Sequence, residues 1–313
     1  MTIRLGTRGS ALALAQAGHI RDRIVALGEP CELVTVTTAG DVSRASLAQI
    51  GGTGVFAGAL RSALLAGEVD LVVHSLKDLP VAPAPGLVVA GVPDREDARD
   101  VLCARDGLDL ASLPAGSRVG TGSPRRHAQL VDRRDDLEVV DLRGNVDSRL
   151  RRVQDGELDA VALSRAGLSR LGRLDAVTEV LPLDTWPTAA GQGALGIEVR
   201  EADADASTPV GRVVAALTDT AARDAATSER RVLGLLEAGC AAPIGVASTV
   251  DDGHAVLWAS VHRPGGGERL DRRREVDFTA DERAAALALA ADGLAADLLA
   301  AGAAELAPLG AAS

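Results

Sequence analysis

Val69–Pro80, VDLVVHSLKDLP, begins as a run of apolar and β-branched residues and closes on a proline. Such a run reads as a strand buried on both faces of a sheet. At its end stand Lys77 and Asp78, side by side. Lys77 is the only lysine among 33 basic residues; the other 32 are arginine. Lysine is a compact point charge, whereas arginine is a permanently charged fork. A surface ion pair of small value is one reading of Lys77–Asp78. A ligand-facing pair at the carboxyl end of a parallel strand, where open α/β sheets place their ligands, is the other. The two residues alone leave both readings open.

Upstream, residues 3–7 read as a strand and Ser10 as the cap of a helix running to about Leu27. Its apolar stripe is Ala11, Leu12, Leu14, Ala15, Ile20, Ile24 and Leu27. Cys31–Thr38 predicts a strand, 39–54 a polar glycine-bearing loop, and Val55–Ala66 a helix. The order β-α-β-α-β predicts a parallel sheet. Downstream, Leu87–Val92 resumes as a strand and the charged stretch Pro93–Asp100 marks a domain boundary. The pattern then restarts: strands at 101–104, 118–121, 137–142 and 160–163, helices at 124–133 and 146–154. Gly193–Val199 predicts a strand that returns to the first sheet. The expected architecture is α/β, with two lobes joined by two crossings and hinged around a cleft. Residues 1–95 and 195–214 form the first domain and 100–190 the second. A small α+β third domain covers 218–313, with a helix at 220–237, three strands and a long Ala/Leu helix from about 280.

At 313 residues, 47% of them hydrophobic, the chain is globular and long enough for several domains. With no Tyr, two Phe and two Trp, its core must be built from Ala, Val and Leu. A net charge of -11 argues against a general nucleic-acid or anionic-membrane binder. No apolar run reaches membrane-spanning length. The start MTIRLGTRGS carries no signal-peptide core, and a cytoplasmic monomer without nucleic-acid or membrane partners is expected. Cys31, Cys103 and Cys240 form no CxxC pair, so neither a zinc site nor a disulfide framework is expected.

Three further places could carry chemistry. In VGTGSPRR, a strand ends in a small-residue turn, with Ser123 as cap and Pro124 at the first helical position. That helix N-terminus is a ready anion site, and Arg125 and Arg126 add two forks for carboxylate or phosphate. Arg143 occupies the next strand end, with Arg149 one turn on. From Arg118 to Arg152 there are nine arginines against six acids. Arg133, Arg134, Arg151 and Arg152 read as solvated. The first lobe repeats the device in Gly6-Thr7-Arg8-Gly9-Ser10. A guest with several carboxylates or phosphates is the natural partner. Gly52–Gly58 has the wrong glycine spacing for a dinucleotide loop, and no Gly-Lys-Ser/Thr exists for a P-loop. Phe56 reads equally well as a core residue or a site residue. Cys240 lies past a helix C-cap in a loop closed by Pro243, and reads as an accessible thiol, a nucleophile or an attachment point. Cys31 and Cys103 read as buried packing residues.

Together these stretches resemble the porphobilinogen deaminases, also called hydroxymethylbilane synthases. The resemblance rests on IRLGTRGSALALAQA, GGTGVF, DLVVHSLKDLP, REDARDVL, VGTGSPRR, LRGNVDSRL, LDAVALSRAGLSRLG, AAGQGALGIEVR and ERRVLGLLEAGCAAPIG, in order and through nearly the whole chain. It implies a transferase of tetrapyrrole biosynthesis that joins four porphobilinogen molecules head to tail, releasing ammonia, to give hydroxymethylbilane. It implies a dipyrromethane cofactor attached to Cys240 through a thioether. It implies two lobes like those of periplasmic binding proteins. Asp78 matches the catalytic aspartate, with Lys77 beside it. Ser75, Lys77, Asp78, Thr121, Ser123, Arg125, Arg126 and Arg143 match cofactor-binding positions. Arg8, Ser10, Phe56, Arg143, Arg149, Arg170 and Gln192 match substrate-binding positions, and no metal is implied. Gln49 and Thr53 stand where many members carry lysine. The competing reading is a two-lobed solute-binding protein for a small polycarboxylate.

Overall fold

The computed structural model describes residues 2–37, 54–238 and 242–309, the side chains of 54–56 apart. The predicted 39–54 loop therefore lies almost wholly outside the described residues, as do Cys240 and the side chain of Phe56. In chain order the elements are β1 (Ile3–Thr7), α1 (Ala11–Ala26), β2 (Cys31–Thr35), α2 (Gly54–Leu65), β3 (Leu71–Ser75), β4 (Leu87–Gly91) and β5 (Asp100–Ala104). Next come β6 (Arg118–Thr121), α3 (Pro124–Arg133), β7 (Glu138–Asp141), α4 (Val146–Gln154), β8 (Ala160–Ser164), α5 (Arg165–Arg170), β9 (Glu179–Val180) and β10 (Leu195–Arg200). The remainder is α6 (Pro209–Leu217), α7 (Thr220–Leu235), β11 (Ile244–Asp251), β12 (His254–His262), β13 (Arg269–Asp277), α8 (Arg283–Ala300) and α9 (Ala303–Leu306).

The chain divides into two compact units, Met1–Glu96 with Ala194–Ala226, and Asp97–Gly193 with Thr227–Ala312. The first is built on the sheet β2-β1-β3-β10-β4. As the β-α-β-α-β pattern predicts, β1 runs parallel to β2 and β3. The sheet as a whole is mixed, because β10 returns antiparallel between β3 and β4. Residues Leu71–Val73 of β3 are buried on both faces of the sheet, which explains why the run is continuously apolar. On one face, Leu71 and Val73 pack with Ile20 and Ile24 of α1 and Val213 of α6. On the other, Val72 packs with Leu60 and Leu64 of α2. Each such leucine contributes about 1.5–3 kcal/mol on leaving water. Asp70 holds the start of β3 by accepting the Arg4 backbone N–H at 2.8 Å and the Arg4 guanidinium at 2.7 and 3.1 Å.

The second unit contains the sheet β7-β6-β8-β5-β9 and the three-stranded antiparallel sheet β11-β12-β13. Here too the larger sheet is mixed, since β5 pairs antiparallel with β8 and β9. Within the charged stretch Pro93–Asp100, Asp100 belongs to β5 and is fully buried. The smaller sheet packs on α8 around Leu257, Val261, Leu287, Leu294 and Leu298.

β11 is brought close to the 182–192 segment by two features. The Val246 N–H donates to Thr188 O at 2.7 Å. Gly245 leaves room for the approach, because a Cβ there would lie 2.3 Å from Pro187 O. Glu229 of α7, fully buried, ties the same region together. It accepts the Gly191 N–H at 2.7 Å and the Ser248 hydroxyl at 2.7 Å.

Two readings of single arginines are corrected. Arg133 is not simply solvated: its guanidinium lies 4.6 Å from the centroid of the buried Trp186 ring. Arg134 donates to Leu110 O, Ala111 O and Leu113 O and pairs with Asp136, so it ties down a loop. Cys103 is buried as expected, but Cys31 is only half-buried. Burial pushes the Cys103 thiol up to about 12 and the Cys31 thiol up to about 11, so neither supplies a thiolate at neutral pH.

Replacing Glu229 with alanine strips the Gly191 N–H and the Ser248 hydroxyl of their acceptor. The expected cost is about 2–4 kcal/mol, read as a lower urea midpoint at unchanged m-value.

Candidate functional site

The carboxyl end of β3 carries the first cluster. Ser75 is its last residue, and Leu76–Asp78 form a single 3₁₀ turn closed by the Leu79 N–H donating to Leu76 O. Asp78 is exposed, while Leu76 and Leu79 are buried under it. A cavity of about 80 Å³ opens here, lined by Arg8, Ser10, Gln16, His74, Ser75 and Asp78 among polar residues, and by Leu12, Leu60 and Val73 among apolar ones. The strand-to-helix turn of Arg8 and Ser10 thus lies on the same cavity as the HSLKD turn. Ser10 caps α1 as predicted, accepting the Ala13 N–H at 3.4 Å. Among the described residues Asp78 is the sole carboxylate on this wall, and it makes no hydrogen bond or ion pair with any of them. The surface pair with Lys77, one of the two readings left open, is therefore not formed. Lys77 is half-buried and does not line the cavity.

Sequence reasoning missed two parts of this wall. Gln16, buried on α1, donates through Nε2 to Ser75 Oγ at 2.8 Å and so orients that hydroxyl. His74 is buried beneath the cavity and its Nε2 lies 3.1 Å from Glu198 Oε2. Glu198 of β10 is also held by Arg61 of α2 at 2.8 and 3.0 Å. Burial alone would raise the Glu198 pKa, but hydrogen bonds from His74 and Arg61 hold it below the ordinary value. A signal was present in the sequence: His74 and Glu198 each interrupt an apolar strand.

The second unit carries the arginine cluster. Ser123 caps α3, accepting the Arg126 N–H at 3.4 Å, and Pro124 occupies the first turn, as predicted. The Thr121 hydroxyl accepts the Ser123 N–H at 3.2 Å. The expectation that Arg125 and Arg126 are open forks is corrected. Both are buried, and both pair with Asp100, at 2.8 and 2.6 Å. Asp100 also accepts Gln192 Nε2 at 2.8 Å and Trp186 Nε1 at 2.9 Å. A carboxylate offers about four acceptor positions, and these four donors fill them. Arg125 Nη1 donates onward to Gln129 Oε1 at 2.6 Å and Pro187 O at 3.3 Å. Arg126 Nη1 donates to Ala162 O at 3.3 Å, whereas its Nε is buried with no acceptor among the described residues. Burial opposes charge on Asp100, yet Arg125 and Arg126, helped by Gln192, hold its carboxyl far below the usual range. Burial is also the main cause that lowers the Arg125 pKa.

The remaining arginines are divided. Arg143 is exposed and 3.8 Å from Asp141. Arg149 Nε donates to Gly144 O at 2.8 Å, and Arg170 Nη2 to Gly193 O at 2.6 Å. The buried Gln192, predicted as a site residue, belongs to the Asp100 network. Asp100, Gln129 and Trp186 escaped the sequence reading because Asp100 sits in a charged stretch that looks like a linker.

The chain matches, over residues 3–208, a family model described as porphobilinogen deaminase, dipyromethane cofactor binding domain. It is 56% identical over 311 residues to the porphobilinogen deaminase of Leifsonia xyli subsp. xyli, covering 98% of this chain and 94% of that one. It is 50% identical over 313 residues to porphobilinogen deaminase 1 of Streptomyces coelicolor, covering 97% of each. With the porphobilinogen deaminase of Thermobifida fusca the identity is 51% over 278 residues, 88% of this chain and 86% of that one.

Asp100→Asn keeps the shape of the network and removes the charge that offsets two buried guanidiniums. A loss of about 3–5 kcal/mol at pH 7 is expected in urea unfolding. The carboxyl pKa is depressed in the folded protein, so the unfolded chain takes up the proton first. The contribution is therefore complete above about pH 4 and lost as pH falls below it, and the gap between wild type and variant should narrow there.

Proposed function

Because the chain belongs to the porphobilinogen deaminase family, we propose that the cavity at the end of β3 is where its coupling chemistry occurs, with Asp78 as the catalytic carboxylate. The protein is a transferase of tetrapyrrole biosynthesis that polymerises porphobilinogen and carries a dipyrromethane cofactor. The product is proposed to be hydroxymethylbilane, made from four porphobilinogen units with release of ammonia. The observation that carries the Asp78 assignment is that, among the described residues, it is the one carboxylate on a wall of neutral and cationic donors and is held by no partner.

The chain's residues suit such a cofactor. Each pyrrole ring brings two carboxylates, so the guest is a polyanion. In the arginine cluster two guanidiniums meet one carboxylate, and a buried Arg126 Nε lacks an acceptor among the described residues. Thr121, Ser123, Arg126 and Arg143, with Ser75 and Lys77 of the first unit, are proposed to hold the cofactor. Arg125 is proposed to serve by fixing its neighbour, since Asp100, Gln129 and Pro187 engage its fork. Cys240 is the proposed point of attachment. It lies outside the described residues, and the raised thiols of Cys31 and Cys103 favour it as the reactive cysteine. When bound, the cofactor supplies a pyrrole carbon from which the chain grows.

The acts of this chain's residues follow from their chemistry. Arg8, Ser10, Arg149, Arg170 and Gln192 are proposed to bind substrate carboxylates and ring groups, with Phe56 against the rings. Asp78 accepts hydrogen bonds from pyrrole N–H groups and offsets positive charge developing on the ring as the amine departs. Lys77 binds a carboxylate, so the two neighbours serve different parts of one ligand. The protein is further proposed to act as a cytoplasmic monomer on this small molecule, without nucleic-acid or membrane partners. Among the described residues no helix is long and apolar enough to cross a membrane.

Intact-mass measurement tests attachment: the purified protein should be heavier than its sequence by one dipyrromethane, and Cys240→Ser should lose that increment. Asp78→Asn should retain the adduct and the fold while kcat falls about 10²–10⁴-fold. A variant within twofold of the wild-type rate would remove Asp78 from the chemistry.

A further inference from the structure

His74 and Glu198 are both buried, and the assignment of Asp78 uses neither. β10 pairs antiparallel with β3 so that Gly196 lies opposite His74 and Glu198 opposite Val72. His74 and Glu198 are therefore diagonal neighbours on one face of the sheet. The face is the one covered by α2, from which Arg61 reaches both oxygens of Glu198, at 2.8 to 3.1 Å. His74 in turn lines the cavity with Ser75 and Asp78.

Glu198 is held in its ionised form, so its oxygens can only accept. The hydrogen in the 3.1 Å contact then resides on His74 Nε2. In a neutral imidazole this leaves Nδ1 as the lone-pair nitrogen, and Nδ1 has no partner among the described residues. The ionisable groups around the ring are Glu198 of β10, Arg61 of α2 behind it, and Arg8 and Asp78 on the same cavity.

We propose that His74 is a second catalytic residue, taking up through Nδ1 the proton released at each coupling, and that Glu198, fixed by Arg61, is its positioning residue. Each coupling forms one C–C bond and breaks the C–N bond to the departing amine. It also releases one proton from the attacking pyrrole carbon, whose C–H electrons return to the ring. The amine, already protonated to the ammonium at neutral pH, leaves as ammonia with the C–N electrons. The proton moves to Nδ1 and from there to solvent or to the ammonia. A carboxylate kept for charge stabilisation and an imidazole kept for the proton divide two demands that one group would meet poorly. The inference rests on the placement of the chemistry beside Asp78.

Nitrogen NMR of the full-length protein labelled at histidine reads the tautomer without turnover. Nδ1 should be unprotonated and Nε2 protonated at neutral pH; the opposite tautomer would overturn the proposal. In kinetics, His74→Asn should lower kcat about 10²-fold with KM within about threefold and the cofactor mass retained. It should also abolish the rising limb of the pH profile. Glu198→Gln, which removes the charge and keeps the shape, should move that limb to lower pH while the fold is retained. A His74→Asn enzyme within twofold of wild type, or a limb unmoved in Glu198→Gln, would refute it. Should Asp78→Asn retain full rate, the placement of the site fails and this proposal with it. If Asp78→Asn is inactive and His74→Asn is not, only this proposal fails.

Discussion

Asp100 imposes the strongest physical constraint on the arginine-bearing unit. It is a fully buried carboxylate that takes hydrogen bonds or ion pairs from Arg125, Arg126, Gln192 and Trp186. Burying one carboxylate and two guanidiniums is costly unless the charges meet and their remaining donors are engaged. This requirement fixes β5, the first turn of α3 and the 182–192 segment against one another. The hydroxyls of Thr121 and Ser123 stand at the same helix N-terminus and accept the Ser123 and Arg126 N–H groups. An arginine held this way keeps little conformational freedom.

The first unit uses the same physics at smaller scale. Glu198 collects Arg61 and His74, as Asp100 collects its pair of arginines. In each unit a buried carboxylate on a strand orients nitrogen-bearing side chains, Arg61 and His74 in one and Arg125 and Arg126 in the other. Asp78 differs from both because it is exposed and held by nothing among the described residues, which suits a group that must meet a substrate. The contrast separates carboxylates that organise from the one assigned to chemistry.

Much of this was legible in the residues. The strand–turn–helix junctions at Ser10 and Ser123 formed where cap and proline placed them, since capping is a local matter of a few backbone N–H groups. The apolar run before Lys77 gave the central strand, and the return of 193–199 to the first sheet held as β10. The antiparallel direction of β10 and β5 was not legible, because strand direction depends on how the chain re-enters the sheet. Arg133 read as solvated because helical periodicity alone does not reveal a Trp186 more than fifty residues away.

The sequence by itself determined the family, the order of strands and helices, and the identity of the chemically unusual residues: the lone lysine, the aspartate beside it and the arginine turns. Those are properties of local pattern and of motif order, both written along the chain. Only the tertiary structure decided what each charged group faces. It left Asp78 exposed on a cavity and without a Lys77 ion pair. It turned Arg125 and Arg126 inward to Asp100, and placed Glu198 behind His74. Partners such as Asp100 and Gln192 lie 92 residues apart, and the electrostatic demand for a buried charge to find its counterion operates in space rather than along the sequence.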